Sequence, residues 1–224
     1  MADRVVLLFT KPAQPGRVKT RLIGEVTAQE AAELHAALVV DLLERMNGGE
    51  FELQIAWALG DGEEAPESRL PAVKQEGADL GERLHHALAR ASQSALAVAA
   101  IGSDHPELSR ADLEEAFDLL ESGDIDIVLG PAHDGGYYLL AVRREALEPR
   151  LFEDIPWSTA EVLGETLKRC DEIGLRTHLL RPAFDVDTPA DLKRLATALA
   201  DGTARSPAAS GLLRAWGYVS EEGT

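Results

Sequence analysis

Short apolar runs that alternate with helix-patterned segments constrain the fold of this chain most strongly. Residues 5–9 and 97–101 are continuous apolar runs, and residues 125–129 are apolar except for Asp126; such segments are typical of strands buried on both faces of a sheet. Helical spacing of leucines predicts helices between them, over residues 27–46 and from residue 80 onward. This order favours an α/β fold in which crossover helices cover both faces of a mostly parallel sheet.

Capping residues place the starts of several helices. A Ser or Thr followed three residues later by an acidic residue predicts a helix start at four positions: Thr27 with Glu30, Ser109 with Asp112, Ser158 with Glu161, and Thr188 with Asp191. Further strands are predicted over residues 51–59, 137–142 and 175–180, and an exposed loop over 61–71. Signals after residue 200 are weak. We therefore expect one domain over residues 1–200 and a C-terminal extension over 201–224.

The net charge of the chain limits the kinds of ligand that it can bind. The 224 residues include 39 Asp and Glu against 22 Lys and Arg, a net charge of −17. Proteins that bind nucleic acid regardless of sequence depend on basic side chains to neutralise phosphates, so we do not expect nucleic acid as a partner. An anionic ligand would have to be held by a local basic cluster, a helix N-terminus or a bound cation.

We expect a cytoplasmic protein that does not bind membranes. Cys170 is the only cysteine and cannot form an internal disulfide. Residues 1–10 are not followed by the small-residue cleavage site of a signal peptide. The longest clear apolar stretch, residues 95–101, is shorter than the roughly 20 residues that a transmembrane helix requires.

A basic segment follows the first predicted strand, at the sheet edge where ligands bind in open parallel sheets. It contains four cations on a turn shaped by Gly and Pro: Lys11, Arg17, Lys19 and Arg21. Arg offers planar, bidentate donors and Lys a compact charge, so this segment suits a phosphate chain. The alternative is a solvated basic turn. A Walker P-loop is excluded, because Gly, Lys and Ser or Thr are not contiguous.

Two aspartates are predicted to hold a metal ion. Asp104 follows the strand over residues 97–101, and Asp187 directly precedes the helix start at Thr188, with Asp185 as its support. Hard cations such as Mg²⁺ or Mn²⁺ often bridge one or two carboxylates to substrate phosphates. The alternatives are an Asx turn at Asp104 and helix-dipole stabilisation at Asp187. Two carboxylates about 4 Å apart would repel without a cation by about 4 kcal/mol at an effective dielectric near 20.

Other polar residues have weaker cases. His105 suits a structural or supporting position better than that of a metal ligand, and no spacing suggests zinc. Asp134 is a candidate general base or sugar-binding group, with a turn aspartate as the equal alternative. Asp124 and Asp126 lie at the amino end of a predicted strand, which is the wrong edge of the sheet for a ligand, and we interpret them as loop residues. Trp157 is either a packing residue or part of an acceptor pocket.

Six motifs together resemble a bacterial family. They begin at Phe9 (FTKP, followed by GRVKTRL from Gly16), Gly81 (GERL), Gly102 (GSDHP), Gly130 (GPAHDGGYY), Ile155 (IPWST) and Asp185 (DVDTP), and they occur in order over roughly residues 4–199. The chain is similar to the glycosyltransferase A-like, or nucleotide-diphospho-sugar transferase, proteins of unknown function. That family is related to 2-phospholactate guanylyltransferase and MobA-like nucleotidyltransferases.

The resemblance implies a GT-A fold, a Rossmann-like α/β/α sandwich that binds a nucleotide and a divalent metal. By the matched motifs, Asp104 and Asp187 would be the metal ligands, and Lys19 and Arg21 would act on the phosphates during catalysis. The nucleotide-binding set would be Thr10, Lys11, Gly16, Arg17, Lys19, Gly81 and Ser103. Family members often have Cys at the position of His105.

Two enzymatic functions follow as hypotheses. The first is a metal-dependent glycosyltransferase with a nucleotide-diphospho-sugar donor and Asp134 as candidate base. The second is a nucleotidyltransferase, guanylyl- or cytidylyl-type, that releases pyrophosphate on reaction with a small phosphorylated or carboxylated acceptor. A third, non-enzymatic hypothesis is a nucleotide-binding module. The expected partners are a nucleotide or nucleotide-sugar and a small-molecule acceptor. A homodimer is one assembly that the sequence allows.

Overall fold

A computed structural model describes residues 3–219. The described residues leave out residues 1–2, at the start of the predicted domain, and residues 220–224, at the end of the predicted extension. The described chain forms two compact units. The first contains the residues up to Lys11, Gly48–Gly102 and Arg110–Ala183, and the second contains Pro12–Asn47, Ser103–Ser109 and the residues from Phe184 onward.

Within residues 3–219 the chain forms strands and helices in an alternating order. The strands are β1 (Arg4–Thr10), β2 (Glu52–Trp57), β3 (Ala72–Lys74), β4 (Ala97–Gly102), β5 (Ile127–Pro131), β6 (Tyr137–Arg143) and β7 (Thr177–Leu179). The α-helices are α1 (Ala28–Met46), α2 (Leu80–Ala91), α3 (Arg110–Glu121), α4 (Val162–Glu172), α5 (Pro189–Ala200) and α6 (Pro207–Ala215).

The first unit is built on one seven-stranded sheet. The strand order is β3-β2-β1-β4-β6-β5-β7, and every pairing is parallel except the two made by β6. This confirms the predicted mostly parallel sheet. β1 and β4 are neighbours in register, with Phe9 opposite Gly102. The two strands therefore end together, at the points where the chain leaves the sheet for the two segments that carry Lys19 and Asp104.

Apolar side chains fill the core of the first unit. Val5–Leu8 of β1 and Leu139–Val142 of β6 are almost fully buried, as the continuous apolar runs predict. Leu84, Ala87 and Leu88 of α2 pack in one cluster with alternate residues of these strands: Val5, Leu7, Leu140 and Val142. No helix within residues 3–219 is long and apolar enough to cross a membrane.

The second unit is helical and is built on α1, α5 and α6. The capping boxes at Thr27 and Thr188 form as predicted, with the Thr side chain and the third-position carboxylate each accepting a backbone N–H. α1 and α6 pack together, and their buried faces share a core with α5 that includes Leu34, Leu38 and Leu195.

Three features differ from the sequence prediction. Ser158 does not cap a helix: its φ is 65°, and α4 begins at Val162 without a side-chain cap. β3 was not predicted because it has three residues with little burial and pairs only at the sheet edge. α6 lies in the region with weak signals, and its N-terminus is capped from a distant part of the chain, by Asp41.

Candidate active site

The basic segment is shaped by two residues with positive φ. Gly16 has a φ of 76°, and Lys19 has φ 49° and ψ 35°, in the left-handed region that non-glycine residues rarely occupy. Lys19 precedes a short 3-10 turn, Thr20–Leu22, whose Leu22 is fully buried in the core of the second unit. The buried leucine anchors the segment and fixes the direction of Lys19.

The Asp104 segment follows β4 directly. Ser103 is buried, and its hydroxyl donates to Asp104 Oδ1 at 3.3 Å. The backbone N–H of Val186 donates to the Asp104 carbonyl at 3.0 Å, so the two segments that carry the predicted metal ligands are hydrogen-bonded to each other.

Asp187 is placed by the start of α5. The backbone N–H groups of Asp187 and Thr188 donate to Asp191 Oδ2, at 3.3 and 2.7 Å. Because Asp191 serves the capping box, the Asp187 carboxylate is left to interact elsewhere. Val186, between Asp185 and Asp187, is fully buried, whereas the two aspartates are partly exposed.

The two predicted metal ligands converge on Lys19. Lys19 Nζ lies 2.5 Å from Asp104 Oδ1 and 3.1 Å from Asp187 Oδ1. The Lys19 side chain is only 2% exposed, whereas the Asp104 and Asp187 side chains are 34% and 35% exposed. Arg21 Nη1 lies 4.0 Å from Asp187 Oδ2, and its side chain is 69% exposed. The carboxylates thus face solvent around one buried ammonium.

Charge pairing governs the ionisation of this cluster. Burial alone would raise the pKa of Asp104, but the Lys19 ammonium and His35 outweigh it and hold the pKa of that carboxyl well below its usual range. Burial likewise would lower the pKa of Lys19, and the charges of Asp104 and Asp187 raise it instead. Asp104 and Lys19 are therefore both ionised.

His35 is a residue of this cluster that the sequence analysis missed. It lies on the buried face of α1, and its Nδ1 is 3.7 Å from Asp104 Oδ1. A polar residue among the apolar positions Ala31, Leu34 and Leu38 is the signal that could have drawn attention to it.

His105 lies beside the cluster as a structural residue. Its side chain is buried, and Nδ1 is 3.2 Å from the Phe184 carbonyl. Arg45 of α1 donates to the carbonyls of His105 and Leu108, at 3.3 and 2.9 Å. These bonds fix the backbone of the segment that begins with Ser103.

The donor set fits a hard divalent cation. Among residues 3–219, no three His, Cys, Asp or Glu side chains are placed to hold a metal ion together. Asp104 and Asp187 nevertheless gather around a single positive centre, the Lys19 ammonium. Mg²⁺ is commonly bound by one or two carboxylates, with water and substrate phosphates completing its shell. Two carboxylates, each about one-third exposed, match the protein contribution that such a site would need.

The structure divides the other predicted site residues between the units. Gly16, Arg17 and Ser103 belong to the second unit, with the carboxylate pair. Thr10, Lys11, Gly81 and Asp134 belong to the first unit. Arg17 is exposed and donates to Gln14 Oε1 at 2.8 Å. Thr10 ends β1 and is buried.

Gly81 and Trp157 pack against each other. A Cβ on Gly81 would lie 2.7 Å from Trp157 Nε1 and 2.8 Å from the Phe152 carbonyl oxygen. Trp157 also meets Tyr137 edge to face, with 6.4 Å between ring centroids. These contacts give both motif residues a packing role in the first unit.

Asp134 forms a turn. Its Oδ1 accepts the backbone N–H of Gly136 at 2.9 Å, the bond of an Asx turn. Gly135 follows with a φ of 92°, and a Cβ there would lie 2.2 Å from the Ala160 carbonyl oxygen, so glycine is required. Asp126, before β5, is held by Arg143 and Arg176, in keeping with its position at the other edge of the sheet.

Comparisons with known proteins support the fold. A protein from Desulfovibrio desulfuricans G20, provisionally named a nucleotide-diphospho-sugar transferase, is 32% identical, with a TM-score of 0.88 over 96% of this chain and 95% of that chain. CMP:2-keto-3-deoxy-manno-octonic acid synthetase, solved with CTP, is 15% identical, with a TM-score of 0.56 over 89% and 99% of the two chains. Rv0371c from Mycobacterium tuberculosis H37Rv, solved with manganese, is 17% identical, with a TM-score of 0.53 over 86% and 97%. The predicted fold class is thereby confirmed.

A search of curated proteins gave no match. Residues 22–159 match the family described as "Uncharacterized protein conserved in bacteria (DUF2064)". This match covers more than half of the chain and includes Asp104 and the motifs at Gly81 and Gly130. The predicted membership of a bacterial family of unknown function, similar to nucleotide-sugar transferases, is confirmed: the chain belongs to the DUF2064 family.

Proposed function

We propose that the protein is a nucleotide-dependent transferase in which Asp104 and Asp187 hold Mg²⁺ or Mn²⁺ on the phosphates of its nucleotide substrate. The observation that carries this proposal is the convergence of both carboxylates on one buried cation, Lys19, with Arg21 beside Asp187. When bound, the metal ion would neutralise phosphate charge and stabilise a phosphate leaving group.

The side chains of the second unit have separate tasks in this proposal. Arg21 is largely exposed and presents planar donors for phosphate oxygens. Lys19 supplies a compact charge, and Ser103 orients the Asp104 carboxylate through its hydroxyl. Preorganised donors of this kind stabilise charge that develops in the transition state.

Glycosyl transfer is the first candidate reaction. The relative with 32% identity has a provisional name of this class, which supports a nucleotide-diphospho-sugar donor. An acceptor hydroxyl would attack the anomeric carbon, the bond from that carbon to the phosphate oxygen would break, and the nucleoside diphosphate would leave. A base must take the hydroxyl proton, and Asp134 is the candidate.

Nucleotidyl transfer is the second candidate reaction, and it does not require Asp134 as a base. One Asp134 oxygen already accepts the Gly136 N–H in a turn. A phosphorylated or carboxylated acceptor is anionic at neutral pH and needs no base to attack the α-phosphate of a nucleoside triphosphate. Pyrophosphate would leave, and Lys19 and Arg21 would stabilise its charge.

Ligand-dependent stability tests the shared site. We would measure Tm with nucleoside triphosphates or nucleotide-diphospho-sugars, each with Mg²⁺, Mn²⁺ or chelator. A ligand at about 100 times its Kd adds about 2.7 kcal/mol, which corresponds to a rise in Tm of about 5–10 °C. Asp104→Asn should remove the metal-dependent rise. The charge-matched control Asp124→Asn, at an exposed position before β5, should keep it.

Product analysis then separates the reactions. Release of a nucleoside diphosphate from a stabilising sugar donor supports glycosyl transfer, and release of pyrophosphate from a triphosphate supports nucleotidyl transfer. Binding without product for any acceptor supports a nucleotide-binding module instead. A panel in which no nucleotide gives a metal-dependent shift would contradict the site itself.

A further inference from the structure

Lys19 occupies the place that a metal ion bound to both aspartates would need. Its Nζ is within 3.1 Å of one oxygen of each carboxylate. Divalent cations bind carboxylate oxygens at about 2.0–2.6 Å. A cation on these two oxygens would therefore be in contact with the ammonium, and both charges are positive. In the conformation described, the metal ion and the Lys19 ammonium exclude each other.

The position of Lys19 is held against a local backbone preference. Its left-handed φ of 49° is unfavourable for a side chain with a Cβ. Its charge is buried, yet both of its partners are about one-third exposed to solvent. The carboxylates of the pair can thus be reached by ions from solution, although the ammonium between them is buried.

The same segment offers the ammonium another anion once a nucleotide is present. Arg21, two residues away, already lies at the solvent side of Asp187. A phosphate chain bound by Arg21 would bring negative charge to this side of the cluster. The ammonium displaced from the carboxylates could then form an ion pair with a phosphate, so that its charge would still be neutralised.

We propose that Lys19 is an exchangeable internal counter-ion: it bridges Asp104 and Asp187 in the metal-free protein, leaves when a divalent cation binds, and then pairs with the nucleotide's phosphates. This inference rests on the proposed function and adds its regulation. Metal and nucleotide bind cooperatively. The metal ion displaces the Lys19 ammonium from the carboxylates, and the phosphates give the displaced ammonium a new anionic partner. Such coupling is reciprocal between the two ligands.

Mn²⁺ affinity without nucleotide tests the proposal directly. We would titrate the metal-free protein with Mn²⁺ and follow the free ion by electron paramagnetic resonance. Lys19→Met, which vacates the space between the carboxylates, should bind Mn²⁺ at least about 10-fold more tightly than the wild type. The control Lys193→Met removes the same charge from an exposed position of α5 that pairs only with Glu25 at 3.9 Å among the ion pairs described, and it should change the affinity less than about 3-fold.

A second experiment uses the wild-type protein, so the test does not depend on the folding of Lys19→Met. Lysines are reductively methylated and the modification at Lys19 is measured by mass spectrometry. The buried Lys19 should react slowly in the metal-free protein, faster with Mn²⁺ alone, and slowly again when a nucleoside triphosphate is added with Mn²⁺.

The outcomes distinguish this inference from the proposed function. Mn²⁺ binding that is lost in Asp104→Asn but no tighter in folded Lys19→Met would overturn the exchange and leave the metal site intact. Lys19 methylation that does not respond to Mn²⁺ would also overturn it. If neither the wild type nor Lys19→Met binds Mn²⁺, with or without nucleotide, both this inference and the proposed function are wrong.

Discussion

At the scale of single residues, the aspartates of this protein differ in how their charges are balanced. Asp104 and Asp187 share one lysine and keep part of their surface open to solvent. Asp126 is instead enclosed: it accepts three hydrogen bonds from Arg176, at 2.8–3.1 Å, and also pairs with Arg143. An enclosed carboxylate stabilises the fold, whereas an open pair can still accept a ligand.

The enclosed aspartate predicts a pH dependence of stability. Hydrogen bonds from Arg176 hold the pKa of the Asp126 carboxyl well below its usual range. Its stabilising contribution is therefore present above the unfolded pKa of about 3.9 and is lost as the pH falls below that value. Asp126→Asn should lower the free energy of unfolding by about 2 kcal/mol at pH 7, and by less at pH 3.

Urea denaturation across pH 3–7 measures this difference. The control Asp124→Asn changes an exposed carboxylate two residues away and should alter the stability by less than about 0.5 kcal/mol. A destabilisation by Asp126→Asn that is equally large at pH 3 and pH 7 would contradict the assignment.

Sequence position was enough to select Asp104 and Asp187, because each follows or precedes a recognisable element. It was not enough to place Lys19. The sequence predicts a cation between the two carboxylates, but it cannot tell a metal ion from a lysine whose long side chain reaches them from another segment. His35 was missed for the same reason: its helix was predicted, but not the segment that α1 faces.

At the scale of elements, a helix cap can be predicted from the sequence when the capping residue is local, but not when it lies far away in the chain. α1 and α5 begin at capping boxes whose members are three residues apart, and both helices were predicted. α6 has no side-chain cap of its own. Its first backbone N–H groups, from Ala208 and Ala209, donate to the buried carboxylate of Asp41 in α1 at 2.8 and 3.0 Å. No local pattern can reveal such a cap.

The distant cap predicts that α6 depends on α1. Asp41→Ala should lower the free energy of unfolding by about 1–2 kcal/mol, because two N–H groups lose their acceptor. Hydrogen exchange should speed up first in residues 207–215. Asp41→Asn, which keeps one acceptor oxygen, should lose less. Equal protection of α6 in the wild type and Asp41→Ala would contradict this dependence.

Two helical glycines predict opposite effects of alanine. Gly81→Ala should destabilise the protein by about 1–3 kcal/mol, since the new methyl group would meet Trp157 and the Phe152 backbone. Gly164 in α4 has nothing within 4 Å of an added Cβ, so Gly164→Ala should stabilise by about 0.5–1 kcal/mol. Thermal denaturation of both variants checks the signs. Stabilisation by Gly81→Ala would show that its packing is looser than described.

At the scale of the whole molecule, the site places two cations, Lys19 and Arg21, beside the Asp104–Asp187 pair in a chain whose net charge is −17. Most acidic side chains are solvated, and their mutual repulsion opposes the folded state. In the proposed function, Lys19 and Arg21 would supply the local positive charge that an anionic ligand needs on a chain of this net charge.

This charge imbalance predicts that salt stabilises the protein. Raising the ionic strength from about 0.01 M to 0.15 M shortens the Debye length from about 30 to 8 Å, which screens repulsion between distant carboxylates. We expect Tm to rise by a few degrees with potassium chloride. Tetramethylammonium chloride should give a similar rise if screening is the cause, because its bulky cation is a poor ligand for the Asp104–Asp187 pair. A rise that occurs with potassium alone and disappears in Asp104→Asn would instead show that the pair binds the metal ion directly.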